Sequence, residues 1–394
     1  MPETRELPMQ ISLNIMQIGA GSNLVGICMA GLGWLLPFGD EAKSILKRVC
    51  AGADEISGDL LWRLSHYDLP LSASQRILRR LQPENVPETF LKLNVAILSS
   101  DTLDHLASGL MGAGLKHGLA CFGTAISLST TLPTILSGKD PLKGEKYNFA
   151  VLMPSLSKLS AAFEPQADIN QLLRQQLDDV RRVALWLAES RGVVPIITLP
   201  PPSLLENFNS SDVLIPWTEG AVRRRFIEGL CELAREQGWP VWNLDALAAE
   251  IGIETWFSEK QYYWAKLPFD LDHVMRVSDS LVRILAAASG KTRRVLVFDL
   301  DNTLWGGVVG DDGVEGLAIG EGAAAAEAHL ALHNLGLALK KRGVALAGKR
   351  DNSQSIAFRL LIDGFWQKSF AEMDLVQKYL RGRAISKNTW ILSI

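Results

Sequence analysis

Two carboxylates, Asp299 and Asp301, stand two residues apart directly after the apolar run Val295–Phe298. A short apolar run of this length fits a buried strand. Side chains at i and i+2 of extended backbone point to one side, and strand ends are where open parallel sheets hold ligands. Two like charges held this close, in a stretch without Lys or Arg, call for a cation. Hard oxygen ligands favour Mg²⁺. A carboxylate beside a bound metal can attack a phosphoryl group and form an aspartyl-phosphate. The second carboxylate can protonate the leaving group and later activate water. A bare pair is weak evidence by itself, because acidic turn residues commonly follow strands.

The elements that must position this pair follow from the apolar pattern. Up to about Pro87 the chain reads as helical, with helices over Glu41–Cys50 and Ser72–Leu81 and Ser72 or Ser74 as the second cap. From Leu93 strands and helices alternate. The strands fall at Asn94–Leu98, Leu119–Phe122, Phe149–Met153, Val193–Leu199 and Pro240–Leu244, and the helices at Leu103–His117, Ile169–Ser190 and Glu219–Gln237. Short apolar strands separated by helices imply a parallel sheet covered on both faces. Ala286–Arg294 reads as a linker. Its Gly290-Lys291-Thr292 is not a P-loop, because Leu285 stands where the first glycine should be. The expected organisation is therefore 1–90 mostly helical, 91–289 an α/β domain and 293–394 a second α/β domain.

Composition limits the functional classes. The chain has 394 residues, 47% hydrophobic and 21% charged, with a formal net charge of −3. That is the profile of a globular protein, and it lacks the basic field of a nucleic-acid binder. Cys28, Cys50, Cys121 and Cys231 form no CxxC pair, which argues against zinc and for reduced thiols in the cytoplasm. Leu7–Gly39 carries no charge, but glycines and several amides interrupt it, which argues against a membrane helix.

The longer string Val295–Gly307, VLVFDLDNTLWGG, resembles the first motif of the haloacid-dehalogenase (HAD) superfamily. Its Leu304-Trp305-Gly306-Gly307 extension resembles the FkbH-like proteins of subfamily IIIC, and the resemblance continues through Val308–Gly320 and Leu337–Leu346. It implies Asp299 as nucleophile and Mg²⁺ ligand, and Asp301 as general acid/base with its main-chain carbonyl on the metal. Thr303 would steady the loop, Trp305, Gly306 and Gly307 would shape the start of a flap, and these four with Asn302 would be the substrate-binding residues. Gly310-Asp311-Asp312-Gly313 has the turn chemistry of a hairpin tip. The implied function is a Mg²⁺-dependent phosphatase or phosphoglyceryl-processing protein. Its substrate would be a phosphorylated small molecule, and its partner an acyl carrier protein in polyketide-type biosynthesis.

Upstream, Asn94–Leu106 and Trp264–Phe269 resemble the SGNH-hydrolase-like (flavodoxin-like) domain that precedes the phosphatase domain in that family. The candidate SGNH site is Ser99, Ser100 and Asp101 after the first strand, with His273 of Asp270-x-x-His273. Gly123 is a candidate oxyanion-hole glycine, and no Asn follows Phe149–Met153. The overall class is thus an SGNH-like parallel-sheet α/β domain followed by a partial HAD-type Rossmann-like domain.

The pattern also departs from the family. After the strand expected at Val344–Ala347 the chain reads Gly348-Lys349-Arg350-Asp351-Asn352-Ser353, not the family's Cys-Ser-Lys-Asn type of sequence, and only 41 residues follow Ser353. No later strand is followed by an acidic pair. The expectation is a truncated or divergent domain, and the rival readings are a binding protein with a vestigial HAD fragment and an SGNH-type esterase. His329 and His333, with Glu327, have zinc-compatible helical spacing. Without a further ligand they read as a solvated helix face.

Overall fold

The computed structural model describes residues 35–51, 56–156, 159, 166, 168–201, 211–212, 214–292, 295–299, 301–313 and 316–349. The uncharged segment before Leu35 and the divergent stretch from Arg350 onward lie outside them. The chain contacts divide between Lys291 and Thr292 into two compact units.

The first unit contains a five-stranded sheet of β1 (Leu91–Ser99), β2 (Leu119–Ser127), β3 (Phe149–Met153), β4 (Val194–Leu199) and β5 (Val241–Asn243). The order is β2-β1-β3-β4-β5 and every pairing is parallel. This is the flavodoxin-like doubly wound order, with its switch point between β1 and β3. The helices are α1 (Asp40–Ala51), α2 (Gly58–Leu64), α3 (Leu71–Arg80), α4 (Asp104–Leu115), α5 (Leu128–Leu136), α6 (Ile169–Leu185), α7 (Glu219–Gln237), α8 (Leu244–Ile251), α9 (Ile253–Trp256), α10 (Glu259–Ala265) and α11 (Val274–Ala288).

Alternation along the strands builds two cores. Val95, Ile97, Val151 and Ile196 pack with Leu106 and Leu110 of α4 and Val277 and Leu281 of α11. Ala96, Leu98, Leu152 and Ile197 pack on the other side with Val183 of α6 and Phe226 and Leu230 of α7. Strands buried on both faces read as unbroken apolar runs, which is why β3 was legible residue for residue. A third core joins α1, α2 and α3 to Met111 and Leu115 of α4 and to Ala120.

Two local expectations are corrected. α3 is preceded by Pro70, with no side-chain cap. Ser74 lies inside the helix, fully buried, where its hydroxyl donates to Ser108 O at 2.6 Å and accepts from Gly112 N at 2.7 Å. The expected linker is partly helix, since α11 runs through Ala288.

The second unit holds β6 (Val295–Asp299) and β7 (Ala345–Lys349), paired in parallel, with α12 (Val309–Asp312) and α13 (Ala324–Lys341) between them. Leu296, Phe298, Leu304, Trp305 and Leu346 form its core. β7 extends two residues past the expected strand, so Gly348 and Lys349 belong to the ladder, and Lys349 stands opposite Asp299. The segment Gly310–Gly313 is not a hairpin tip. It is one helical turn, Val309–Asp312, closed when Asp312 Oδ2 accepts from Val308 N at 2.8 Å. An Asp placed to accept the amide four residues before it favours a turn over extended backbone.

Candidate active site

Asp299 is the last residue of β6. The chain then folds sharply. Asn302 adopts φ +56, a left-handed conformation that Asn tolerates better than other non-glycine residues. Its amide donates to Gly307 O at 3.2 Å, and its side-chain oxygen accepts from Gly307 N at 3.0 Å. Gly307 has φ +101, and a Cβ there would lie 2.9 Å from Asp312 Oδ2, so both conformation and space require glycine. Gly306 and Ala318 exchange two main-chain hydrogen bonds, at 3.0 and 2.8 Å, closing the excursion between them.

Asp301 and Trp305 meet across this loop. The Trp305 indole Nε1 donates to Asp301 Oδ1 at 3.1 Å, while the ring is buried in the core of the unit. One residue therefore anchors the loop by apolar packing and orients a carboxylate by a charge-assisted hydrogen bond. Asp301 is exposed.

Two residues read from sequence as a solvated face belong to this loop instead. His329 Nδ1 donates to Thr303 O at 2.7 Å, and His333 Nε2 donates to Leu304 O at 2.8 Å. His333 is 3% exposed. Burial pushes its imidazole below the ordinary histidine range, against the opposing pull of the Leu304 carbonyl, with His329 adding to the lowering. The signal for this lay in the flanking residues. Ala326, His329, His333 and Gly336 follow each other at spacings of three and four, one helical stripe, and Ala326, His333 and Gly336 are its buried members.

Among the described residues no three His, Cys, Asp or Glu side chains gather into a metal cage. Mg²⁺ does not need one, because it keeps several waters and takes one or two carboxylates together with substrate phosphate. A carboxylate at Asp299 and the oxygens of Asp301 fit that requirement.

In the five-stranded unit the candidate SGNH residues each have hydrogen-bond surroundings of their own. The buried Ser99 hydroxyl accepts from Asp101 N at 3.0 Å, and Ser100 is exposed. His273 Nε2 donates to Thr255 O at 2.9 Å, and Asp270 caps its own turn by accepting from Asp272 N at 2.9 Å. No hydrogen bond joins Ser99, Ser100 or Asp101 to His273 among the described residues. Asp101 is half-buried; burial pushes its carboxyl up against the opposing pull of Lys266. Gly123 is a packing glycine: a Cβ there would sit 2.8 Å from both Cα and O of Ala107.

Solved structures give the chain a relative in fold. The N-terminal part of the protein BF1531 from Bacteroides fragilis, containing a phosphatase domain and complexed with Mg, matches with a TM-score of 0.65 and 21% identity. The match covers 79% of this chain and 86% of that one. The two share a fold. Axe2, an acetylxylan esterase from Geobacillus stearothermophilus, matches with a TM-score of 0.33 and 9% identity over 50% of this chain and 96% of its own. The acetyl xylan esterase AlAXEase matches with a TM-score of 0.31 and 10% identity over 48% and 98%. Scores this low establish nothing about the five-stranded unit, whose class rests on its strand order. No protein-family model and no curated protein matches the chain.

Proposed function

We propose that the chain is a Mg²⁺-dependent phosphatase of the HAD superfamily, close to its FkbH-like branch, acting on a phosphorylated small molecule in the cytoplasm. The observation that carries this reading is the Asp301–Trp305 hydrogen bond at 3.1 Å, in a tight loop directly after the strand that ends at Asp299. The shared fold with a phosphatase-containing protein supports it. The catalytic domain in this reading is 293–394, and 91–289, with the helical region 1–90, binds or docks. The FkbH-like motif supports an acyl carrier protein as partner and a polyketide-type pathway as setting.

Mg²⁺ held by Asp299 and Asp301 would neutralise phosphate charge and polarise the phosphoryl group. An Asp299 carboxylate oxygen attacks phosphorus as the bond to the leaving oxygen breaks, and Asp301 gives that oxygen its proton. Asp301 then takes a proton from water, which attacks the aspartyl-phosphate and frees phosphate and Asp299. Asn302, Thr303, Gly306 and Gly307 hold the loop in shape, and Trp305 orients Asp301.

The test is hydrolysis of a small aryl phosphate with and without Mg²⁺, by the native chain and Asp299→Asn. Mg²⁺-dependent turnover lost in the variant is the expected result. No turnover by the native chain rejects the reading in favour of a binding protein with a catalytically impaired second unit. One observation already favours binding over esterase chemistry in the first unit, namely that His273 Nε2 is committed to the Thr255 carbonyl.

A further inference from the structure

We infer that His329 and His333 are positioning residues, a two-point clamp by which α13 fixes the main chain of the loop Asp301–Gly307. The inference deepens the phosphatase reading and rests on it for its effect on catalysis. Its structural part stands alone.

The argument begins with how the loop is held. Consecutive carbonyls, Thr303 O and Leu304 O, point at one helix and are taken at 2.7 and 2.8 Å by two histidines four residues apart. Thr303 and Leu304 lie in the turn that follows Asp301, and capturing both carbonyls from one helix face fixes the position of that turn against α13. The two histidines use different ring atoms, Nδ1 at His329 and Nε2 at His333. The reach differs accordingly, and each ring suits its own carbonyl. The helix itself is seated closely. A Cβ at Gly336 would meet the Phe298 ring at 3.0 Å, and one at Gly306 would meet His329 Nε2 at 3.4 Å. Phe298 directly precedes Asp299, so α13 is registered against the same strand that presents the proposed nucleophile.

Hydrogen-bonded groups behind the groups that do the chemistry set their orientation, and removing them costs about 10–100-fold in metal affinity or activity. Here the clamp acts on Thr303 and Leu304, two and three residues past Asp301. Loosening it frees the Asp301 carbonyl and the Asp301–Trp305 pair from their fixed geometry. The Asn302–Gly307 and Gly306–Ala318 bonds do not involve α13, whereas Leu304 and Trp305 meet Leu332 and Leu339 of α13 only through apolar packing, which holds position without fixing the direction of a carbonyl.

The two ring atoms supply a test specific to positioning. An Asn amide nitrogen reaches about as far as His Nδ1, and a Gln amide nitrogen about as far as His Nε2. His329→Asn and His333→Gln should therefore keep the bonds. The swapped variants His329→Gln and His333→Asn, and both leucine variants, should lose them. Amide hydrogen exchange on the full chain reads the clamp directly. The losing variants are expected to exchange roughly tenfold faster at Asn302, Gly306 and Gly307, while the amides of β1 and β3 are unchanged. Calorimetry with Mg²⁺ alone should show weakening of about 10–100-fold in the same variants, with kcat for an aryl phosphate falling and KM holding. Matched and swapped variants that behave alike in exchange overturn the clamp. A native chain that neither binds Mg²⁺ nor turns over phosphate rejects the phosphatase reading, and the exchange pattern then decides the clamp alone.

Discussion

At the scale of single residues, Trp305 joins packing to chemistry, and the two roles can be separated. Trp305→Phe keeps an aromatic ring in the core with Leu296, Phe298, Leu304 and Leu346 and deletes the N–H bonded to Asp301 together with part of the buried indole volume. A hydrogen bond to a charged group contributes about 1.5–3 kcal/mol, so phosphatase kcat should fall roughly tenfold or more. The lost bond and the lost ring volume should also lower the melting temperature of the second unit by several degrees, so kcat is compared well below it. An unchanged kcat, measured with Mg²⁺ and aryl phosphate in excess, would show that the indole is packing alone. Cys121 gives an independent check on the first unit. It is fully buried, and burial pushes its thiol up to about 12. Only the thiolate reacts, so iodoacetamide should label the half-buried Cys50 and Cys231 in the native protein and reach Cys121 only after unfolding. Mass spectrometry of the labelled peptides decides it. The strand that ends at Asp299 was legible in the sequence because its apolar residues are contiguous. His329 and His333 were not, because their partners are carbonyls more than 25 residues upstream, chosen by packing.

At the scale of elements, α4 is the piece on which the first unit turns. Its buried face carries Gly109, Gly112 and Gly114, and a Cβ at each would meet Ser278 Oγ at 2.3 Å, Ser74 Cβ at 2.9 Å and Leu119 O at 2.7 Å respectively. β2 answers with Gly123 against Ala107. Gly123→Ala puts a methyl on backbone that cannot move aside, and overpacking of this kind costs about 1–3 kcal/mol, readable as a lower urea midpoint. α4 is also tied to α11 electrostatically. Asp279, 3% exposed in its side chain, faces Lys116 at 3.5 Å, His117 at 3.5 Å and Arg283 at 2.9 Å. Burial pushes its carboxyl up, but His117, Lys116 and Arg283 together outweigh burial, so it lies below the ordinary range. A carboxyl depressed in the folded state contributes stability above its unfolded value, about 3.9, and that contribution is lost as pH falls through the folded value. Asp279→Asn should therefore flatten the acid limb of a urea-midpoint profile below about pH 4. Asp279→Ala, which strands the buried Lys116, should cost about 3–5 kcal/mol at neutral pH. An acid limb unchanged by Asn would place the acid sensitivity elsewhere. Apolar strand runs made β1, β3 and β4 legible, whereas the first-turn caps and the short helices α8, α9 and α10 were not. α8 and α10 start on single side-chain bonds, Asn243 Oδ1 accepting from Ala246 N and Ser258 Oγ from Gln261 N, and α9 is a single uncapped turn; none of these leaves a periodic trace.

At the scale of the whole molecule, the two units differ in what holds them together. The first has a five-stranded sheet with a core on each face and a further helical core on α4. The second, among the described residues, has two strands and one small core. The described core of the second unit is the smaller of the two, so ligand binding should matter more to that unit than to the first. If 293–394 is a domain of its own, calorimetry of the full chain should resolve two transitions, with the second unit melting first. Mg²⁺ together with a phosphate mimic should then raise the lower transition alone. A ligand at about 100 times its Kd adds about 2.7 kcal/mol to the state that binds it, enough to move a small domain by several degrees. The same additions should leave the upper transition in place, and Asp299→Asn should abolish the shift without abolishing the transition. A single transition that moves as a whole would mean that the units unfold cooperatively and that the division at Lys291 does not separate two domains. A lower transition that ignores Mg²⁺ and phosphate would instead leave the domains intact and remove the ligand from the second one.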